Sequence, residues 1–224
     1  DQEIVPGEVF ATTLLTIMKH DLNGGSGWRP NDFFLWGPNV MADNNAHRQL
    51  GIIQPVRESM RIFKNHLTKI SASEYDPNLQ TADTLFRNDS QKFWFPSAES
   101  RFKEGVQALE KYLAGLSASP PHARPTSRRN IELIRLFQEW TDILGGAHAN
   151  LFKDEGSKEE HVAWLQIDDY FYQAQGAAHV MYYLTIAVER EFEVDFTGRP
   201  RVIELLHEVE YALGHAAKLK PLII

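Results

Sequence analysis

Residues 167–192 read IDDYFYQAQGAAHVMYYLTIAVEREF and carry a long run of regularly spaced apolar side chains. Successive members of this run lie three or four positions apart, which is the spacing of one face of an α-helix. The members are Ile167, Phe171, Ala174, Ala178, Met181, Leu184, Val188 and Phe192. Residues 167–192 are therefore predicted to form one long helix whose apolar face packs against other helices.

The same spacing recurs along the rest of the chain. Further helices are predicted to start near Glu8, Val56, Asp76, Ser97, Thr126 and Pro200. No segment alternates apolar and polar residues as a half-buried strand does. Residues 28–45 have no clean period and are predicted to form a long ordered loop. The sequence thus predicts an all-α, multi-helix bundle of about six to eight helices, with this loop after the first helix.

Length and composition limit the class of protein. The chain has 224 residues, enough to bury a hydrophobic core without disulfides or metals. Residues 1–224 are predicted to form a single helical domain; a sub-division at residues 117–125, which hold three prolines, is the alternative. The net charge of −7 disfavours a nucleic-acid-binding surface. The lack of cysteine excludes thiolate zinc sites, iron–sulfur clusters and thiol catalysis.

The chain starts at Asp1 and not at methionine. No apolar run in it is long enough to span a bilayer. We therefore expect further residues upstream of Asp1, where a membrane anchor or a signal stays an open alternative. The absence of cysteine is consistent with an oxidising compartment.

Two carboxylates interrupt the apolar helix near its start. Asp168 and Asp169 are followed by Tyr172, Gln173 and His179, and an aspartate and Tyr172 share one helix face. An acidic patch facing a cleft would hold a cation or accept a proton. Alternatively, the carboxylates accept backbone hydrogen bonds and anchor the loop of residues 28–45. The second interpretation is the one we favour.

The loop itself is rich in side-chain oxygens. Its candidate residues are Asn31, Asp32, Asp43 and Asn44. Calcium binds such oxygens, but the spacing is not that of an EF-hand loop. Because Asn and Asp commonly form turns and helix caps, a structural role is favoured. No catalytic residue, metal ligand or cofactor is assigned from the sequence.

Arg57, Arg61 and Lys64 step by four and three and form one basic stripe on a predicted helix. Such a stripe could face anionic lipid headgroups or an acidic partner. A solvated helix face is the default interpretation.

Seven segments in this order resemble the signatures of one bacterial family, domain-of-unknown-function family 2333. They are GWRPND at 27–32, ADN at 42–44, QLG at 49–51, VR at 56–57, Asp76 with Leu79 and Ala82, WFPSAES at 94–100, and DDYFYQAQG at 168–176. The resemblance covers nearly the whole chain. Its motif residues include the candidates already selected: Asn31, Asp32, Asp43, Asn44, Asp168 and Asp169.

The resemblance implies a protein held to the bacterial inner membrane by one N-terminal helix, with this helical domain facing the periplasm. That helix would lie upstream of Asp1. The resemblance implies no reaction, because the family has no assigned activity.

Two hypotheses follow for the function. The first is a non-catalytic, membrane-tethered, extracytoplasmic domain of the cell envelope that acts by protein–protein contact or as a scaffold, with an unknown protein partner. It predicts that the loop packs on the helix containing Asp168 and Asp169. The second is an enzyme or a ligand- or cation-binding domain. It predicts an open acidic-aromatic cleft built from Asp32, Asp43, Asp168, Asp169, Tyr172 and His179, with raised carboxylate pKa values or a bound cation.

Overall fold

Eight α-helices form most of the part of the chain that the structure describes. The computed structural model describes residues 4–25, 27–30, 40–68, 75–127, 130–152 and 164–219. These ranges contain no strand, and the predicted all-α fold with six to eight helices is confirmed. The helices are α1 (Glu8–Asn23), α2 (Val40–Ile62), α3 (Pro77–Phe86), α4 (Ala98–Leu116), α5 (Asn130–Leu151), α6 (Trp164–Glu191), α7 (Glu193–Phe196) and α8 (Pro200–Lys218). None of these helices combines the length and the hydropathy that a bilayer-spanning helix needs.

The central helix is α6, which contacts α1, α2, α5 and α8. The buried members of its predicted apolar run are Ala178, Met181, Leu184 and Val188, and Phe192 directly after the helix is buried as well. They join one hydrophobic cluster that also contains buried side chains of α1 to α5 and α8. Ile167 was predicted on the same face but is exposed. The core therefore starts further along α6 than the sequence predicted.

Helix α2 begins at Val40, so the predicted helix start near Val56 is wrong and residues 40–45 are helical. The helix runs through Gly51 and Pro55, which are unfavourable in a helix interior. At Gly51 the cause is close packing, because a Cβ atom there would overlap the carbonyl oxygen of Gln173 in α6. A Cβ atom at Gly176 in α6 would likewise overlap the carbonyl oxygen of Arg48 in α2. The contact between α2 and α6 thus outweighs the local tendency of the sequence to end the helix.

The predicted caps of α3 and α4 are confirmed. Oδ1 of Asp76 accepts hydrogen bonds from the backbone N–H groups of Asn78 at 2.9 Å and Leu79 at 3.3 Å. Oγ of Ser97 accepts from the N–H of Ser100 at 3.2 Å. Each cap satisfies N–H groups that have no partner within the helix.

A side chain that lies far along the sequence caps the start of α1. The carboxylate of Glu191, at the end of α6, accepts hydrogen bonds from the N–H groups of Gly7, Val9 and Phe10. Glu191 is buried, and burial raises the pKa of its carboxyl group; these three backbone donors partly offset the rise.

The basic stripe is not a solvated face, contrary to the prediction. Arg57 donates from Nε to the carbonyl of Phe86 at 2.7 Å and from Nη2 to the carbonyl of Asn88 at 2.6 Å, which caps the end of α3. Lys64, on a π-helical turn that continues α2, is buried against Asp83 with Nζ 2.6 Å from Oδ2. The two residues hold α3 against α2 and do not form a docking surface.

The predicted linker at residues 117–125 folds back onto α4. The N–H groups of His122 and Ala123 donate to the carbonyl of Gly115 at 3.1 and 3.3 Å. The hydroxyl of Tyr112 donates to the carbonyl of Arg124 at 2.6 Å, and the Arg124 N–H donates to Asp76 Oδ2 at 3.3 Å. These bonds join the stretch to both α3 and α4.

Candidate functional site

The candidate residues from the sequence lie in three parts of the chain. Asn31 and Asp32 lie outside the described residues. Asp43 and Asn44 lie near the start of α2, and not in a loop as predicted. Asp168, Asp169 and Tyr172 lie near the start of α6 and are half-buried. Because α2 and α6 pack closely, His47 near the start of α2 meets Asp169 near the start of α6.

His47 of α2 connects two residues of the α6 motif. Its Nε2 lies 3.2 Å from Oδ1 of Asp169, and its Nδ1 lies 3.1 Å from Nε2 of Gln173. The two ring nitrogens of His47 thus bridge Asp169 and Gln173 of α6. Asp169 therefore takes part in a contact between α2 and α6. The expected anchoring of residues 28–45 by this carboxylate stays a prediction.

A second polar cluster joins α1, α2 and α6. Nη1 of Arg48 lies 3.4 Å from Oδ1 of Asp21, which is only 5 % exposed. Burial raises the pKa of Asp21, and the positive charge of Arg48 opposes the rise. Burial, together with the charges of Arg48 and His20, lowers the pKa of His179 to about 4. His179 is therefore neutral near pH 7 and belongs to the interior of the bundle.

Gln49 binds the backbone on both sides of Trp28, where the predicted loop begins. Its Oε1 accepts from the N–H of Arg29 at 2.8 Å, and its Nε2 donates to the carbonyls of Gly27 at 3.0 Å and Asp21 at 3.2 Å. Trp28 between them is buried, and its Nε1 donates to the carbonyl of Ser90 at 2.8 Å. Residues 31–39 are outside the described residues, so the expected packing of the loop on α6 stays a prediction.

A small polar cleft lies where α2, α5 and α6 meet. It measures about 130 Å³. Its polar lining consists of Gln54 from α2, Asp142 and Asn150 from α5, and Tyr170 and Gln173 from α6. The apolar floor includes Ile143 and Ala177, which are buried. The cleft adjoins the predicted motif, but Asp168, Asp169, Tyr172 and His179 are not among its lining residues.

Gly146 keeps the α5 side of the cleft open. Asp142, Gly146 and Asn150 lie four positions apart on one face of α5, and all three line the cleft. A Cβ atom at Gly146 would have no atom within 4 Å. Gln173 was already part of the motif selected from the sequence, and α5 runs without interruption through Gly145 and Gly146. Asp142, Asn150 and Gln54 carried no signal, since isolated polar residues are common on helix surfaces.

No three His, Asp or Glu side chains come together to hold a metal ion within the described ranges. The oxygen-rich set considered for calcium was Asn31, Asp32, Asn39, Asp43, Asn44 and Asn45, of which Asn31, Asp32 and Asn39 lie outside these ranges.

An aromatic loop protrudes between α3 and α4. Phe93, Trp94 and Phe95, here called the aromatic tip, are 46 %, 75 % and 92 % exposed. The rings of Phe93 and Trp94 meet edge to face with centroids 5.5 Å apart. The loop is closed at its base by the N–H of Ala98, which donates to the carbonyl of Lys92 at 2.9 Å. Adjacent exposed aromatic side chains of this kind are a candidate interaction surface.

Comparison with known proteins gives one match. The model of the family DUF2333, described as an uncharacterized protein conserved in bacteria, matches residues 1–151. The matched segment holds Gln49, Gly51, Arg57, Asp76 and the aromatic tip, whereas Asp168 and Asp169 lie after it. No curated protein and no solved structure matches the chain. Because the family model matches well over half of the chain, the protein belongs to the DUF2333 family of uncharacterized bacterial proteins.

Proposed function

We propose that this chain is a non-catalytic, membrane-tethered, extracytoplasmic domain of the bacterial cell envelope that acts by protein–protein contact. The observation that carries the protein contact is the aromatic tip, where Trp94 and Phe95 are 75 % and 92 % exposed. Aromatic side chains dominate binding energy at protein interfaces. Burial of one such side chain contributes about 1.5–3 kcal/mol.

The tip is held in place by the fold around it. Arg57 caps the end of α3 just before the tip, and Ser97 caps α4 just after it. The indole of Trp28, buried in the core, donates to Ser90 within the same loop. A loop fixed at both ends loses less conformational entropy when its aromatic rings are buried by a partner. The motif residues Trp28, Arg57 and Ser97 thus support the tip.

The position of the tip favours a partner over the membrane that would hold the tether. Gly7, at the start of α1, lies beside Tyr112 near the end of α4, and Gly27 lies beside Glu99 in the first turn of α4. The helices are therefore antiparallel, and the tip before α4 lies at the opposite end from the start of α1. The 16 residues of α1 span roughly 24 Å. A tether that enters at the start of α1 would place the tip on the side facing away from the membrane.

The tether and the periplasmic location are proposed from the resemblance of the seven sequence segments. They are tested by fractionation of cells that express the full-length protein. We expect the protein in the inner-membrane fraction, with the domain digested by protease once the outer membrane is permeabilised. Recovery from the soluble cytoplasmic fraction would contradict the tether, but it would not contradict the proposed protein contact at the aromatic tip.

The protein contact is tested by site-specific photo-crosslinking in living cells. A photo-reactive amino acid at position 94 should give a discrete crosslinked product. The same amino acid at position 211 is the control, because Tyr211 on α8 is also exposed, at 71 %. A further test places the photo-reactive amino acid at position 93. The crosslinked product should then disappear in a Trp94→Ala, Phe95→Ala variant and persist in a Tyr211→Ala variant. Equal crosslinking at positions 94 and 211 would refute a specific contact at the tip.

A ligand-binding domain is the second candidate, favoured by the cleft between α2, α5 and α6. Its volume of about 130 Å³ is well below the range of about 300–1,000 Å³ typical of substrate and cofactor pockets. The cleft therefore suits a single side chain or a very small molecule.

A further inference from the structure

We propose that the cleft between α2, α5 and α6 is a socket for one arginine side chain of a protein partner. The proposal rests on the proposed function by protein contact and names a second point of that contact. It commits to arginine because of the charge, the hydrogen-bonding groups and the size of the cleft.

The charge of the cleft favours a cation. Among the described lining residues, Asp142 is the only charged one, and Lys, Arg and His are absent. The whole chain carries a net charge of −7, which also attracts a basic partner. A carboxylate or phosphate group would meet the Asp142 carboxylate with no cation to compensate for it.

The polar groups match a guanidinium in number and in kind. The carboxylate of Asp142 and the amide oxygens of Gln54 and Asn150 are acceptors for a group that carries five N–H donors. None of these three side chains has a hydrogen-bond partner among the described residues, so their acceptors are available. Tyr170 adds an aromatic ring, and a guanidinium is attracted to the face of such a ring.

The size and the floor of the cleft match one long side chain. A space of about 130 Å³ with Ile143, Ala174 and Ala177 on its floor can take a methylene stem and its planar head. Gly146 adds no side chain to the α5 side of this space, and a Cβ atom there would meet no atom within 4 Å.

The experiment is an NMR titration of the 224-residue chain with two capped tripeptides. The first is acetyl-Gly-Arg-Gly-amide. The second replaces arginine with citrulline, which has the same shape without the charge. We expect the arginine peptide to cause saturable shifts at the amides of Gly146 and Ala174, and the citrulline peptide to bind about five- to tenfold more weakly. Equal binding of the two peptides, or no saturable shift, would overturn the proposal.

Three variants locate the site. Gly146→Leu fills the cleft and should abolish the shifts at Ala174, whereas Gly145→Leu on the exposed side of the same helix should leave them unchanged. Asp142→Asn keeps the volume, removes the charge and should reduce the preference for arginine over citrulline to less than twofold. Retained binding in Gly146→Leu would place the peptide elsewhere and refute the socket.

Agmatine, which carries the same guanidinium on a small molecule, tests whether the cleft binds a protein side chain or a small molecule. Binding of agmatine tenfold tighter than the peptide would identify a small-molecule site and overturn the protein partner. The titration does not involve the aromatic tip. Its failure would leave the crosslink at position 94 standing, and the loss of that crosslink would leave the titration standing.

Discussion

Glu191 accepts a hydrogen bond from the backbone N–H of Phe10 at 3.2 Å, across 181 positions of the chain. The same carboxylate also accepts from the N–H groups of Gly7 and Val9. The first helix therefore lacks a cap of its own and takes one from the end of α6. The start of α1 and the end of α6 are thereby held together.

Glu191→Ala should lower the free energy of unfolding by about 2–3 kcal/mol, because it leaves buried N–H groups without an acceptor. Urea denaturation monitored by circular dichroism measures the change. Glu189→Ala, two positions earlier and paired with His207 on the surface, is the control and should cost less than about 1 kcal/mol. Equal losses in the two variants would contradict the capping role.

His179 should make the fold sensitive to acid. Its pKa is about 4 in the folded chain, against about 6.5 for an unperturbed histidine, so the unfolded state binds the proton more readily between these pH values. Its contribution is fully present above about pH 6.5 and is lost as the pH falls towards 4. Burial is the main cause of the lowered pKa of His179, and the positive charges of Arg48 and His20 add to it.

This loss should appear as a decrease of Tm between pH 7 and pH 4.5 that is smaller in a His179→Gln variant. His215→Gln on α8 is the matched control, since that histidine is exposed, and it should keep the wild-type slope. The prediction fails if His179→Gln and the wild type show the same pH slope.

Gly51→Ala should destabilise the fold by about 3 kcal/mol or more, because its Cβ would overlap the backbone of α6 and only a helix shift could relieve the overlap. Gly145→Ala tests the opposite case. It adds a methyl group in open space on a helix and should stabilise the protein by up to about 1 kcal/mol. Thermal unfolding of both variants gives the sign directly, and a neutral Gly51→Ala would disprove the close crossing.

Arg57→Met should cost about 2–3 kcal/mol, because it removes two charge-assisted hydrogen bonds to the carbonyls that end α3. Arg101→Met is a suitable reference, since Arg101 pairs only with Glu104 on the surface of α4, and it should change stability by less than about 1 kcal/mol. Chemical denaturation compares the two. Because Arg57 supports the loop that carries the aromatic tip, its loss should also weaken the crosslink at position 94.

The apolar spacing in the sequence was sufficient to predict the helices, and two of their caps could be predicted from local motifs. Asp76 before Pro77 and Ser97 before Ala98 act through neighbours in the chain, so local sequence contains the whole signal. The start of α2 could not be predicted, because Gly51 and Pro55 are locally unfavourable in a helix and the close contact of Gly51 with α6 is not visible in the local sequence.

The site was predicted less well than the fold, for a similar reason. Asp169 was selected as a polar residue on an apolar helix, but its partner His47 lies more than a hundred positions away. Arg57 looked like a surface cation because the carbonyl groups it binds belong to the backbone, which every residue has. Long-range polar partners of this kind leave no periodic signal in one sequence.

Gln173 is shared by three features. Its carbonyl oxygen faces Gly51, its side-chain amide contacts His47, and it lines the cleft. The Oε1 atom of Gln173 can accept a hydrogen bond from a molecule in the cleft while its Nε2 keeps its contact with His47. Occupancy of the cleft would therefore fix the orientation of this one carboxamide, and through it would be visible as a change at the His47 imidazole.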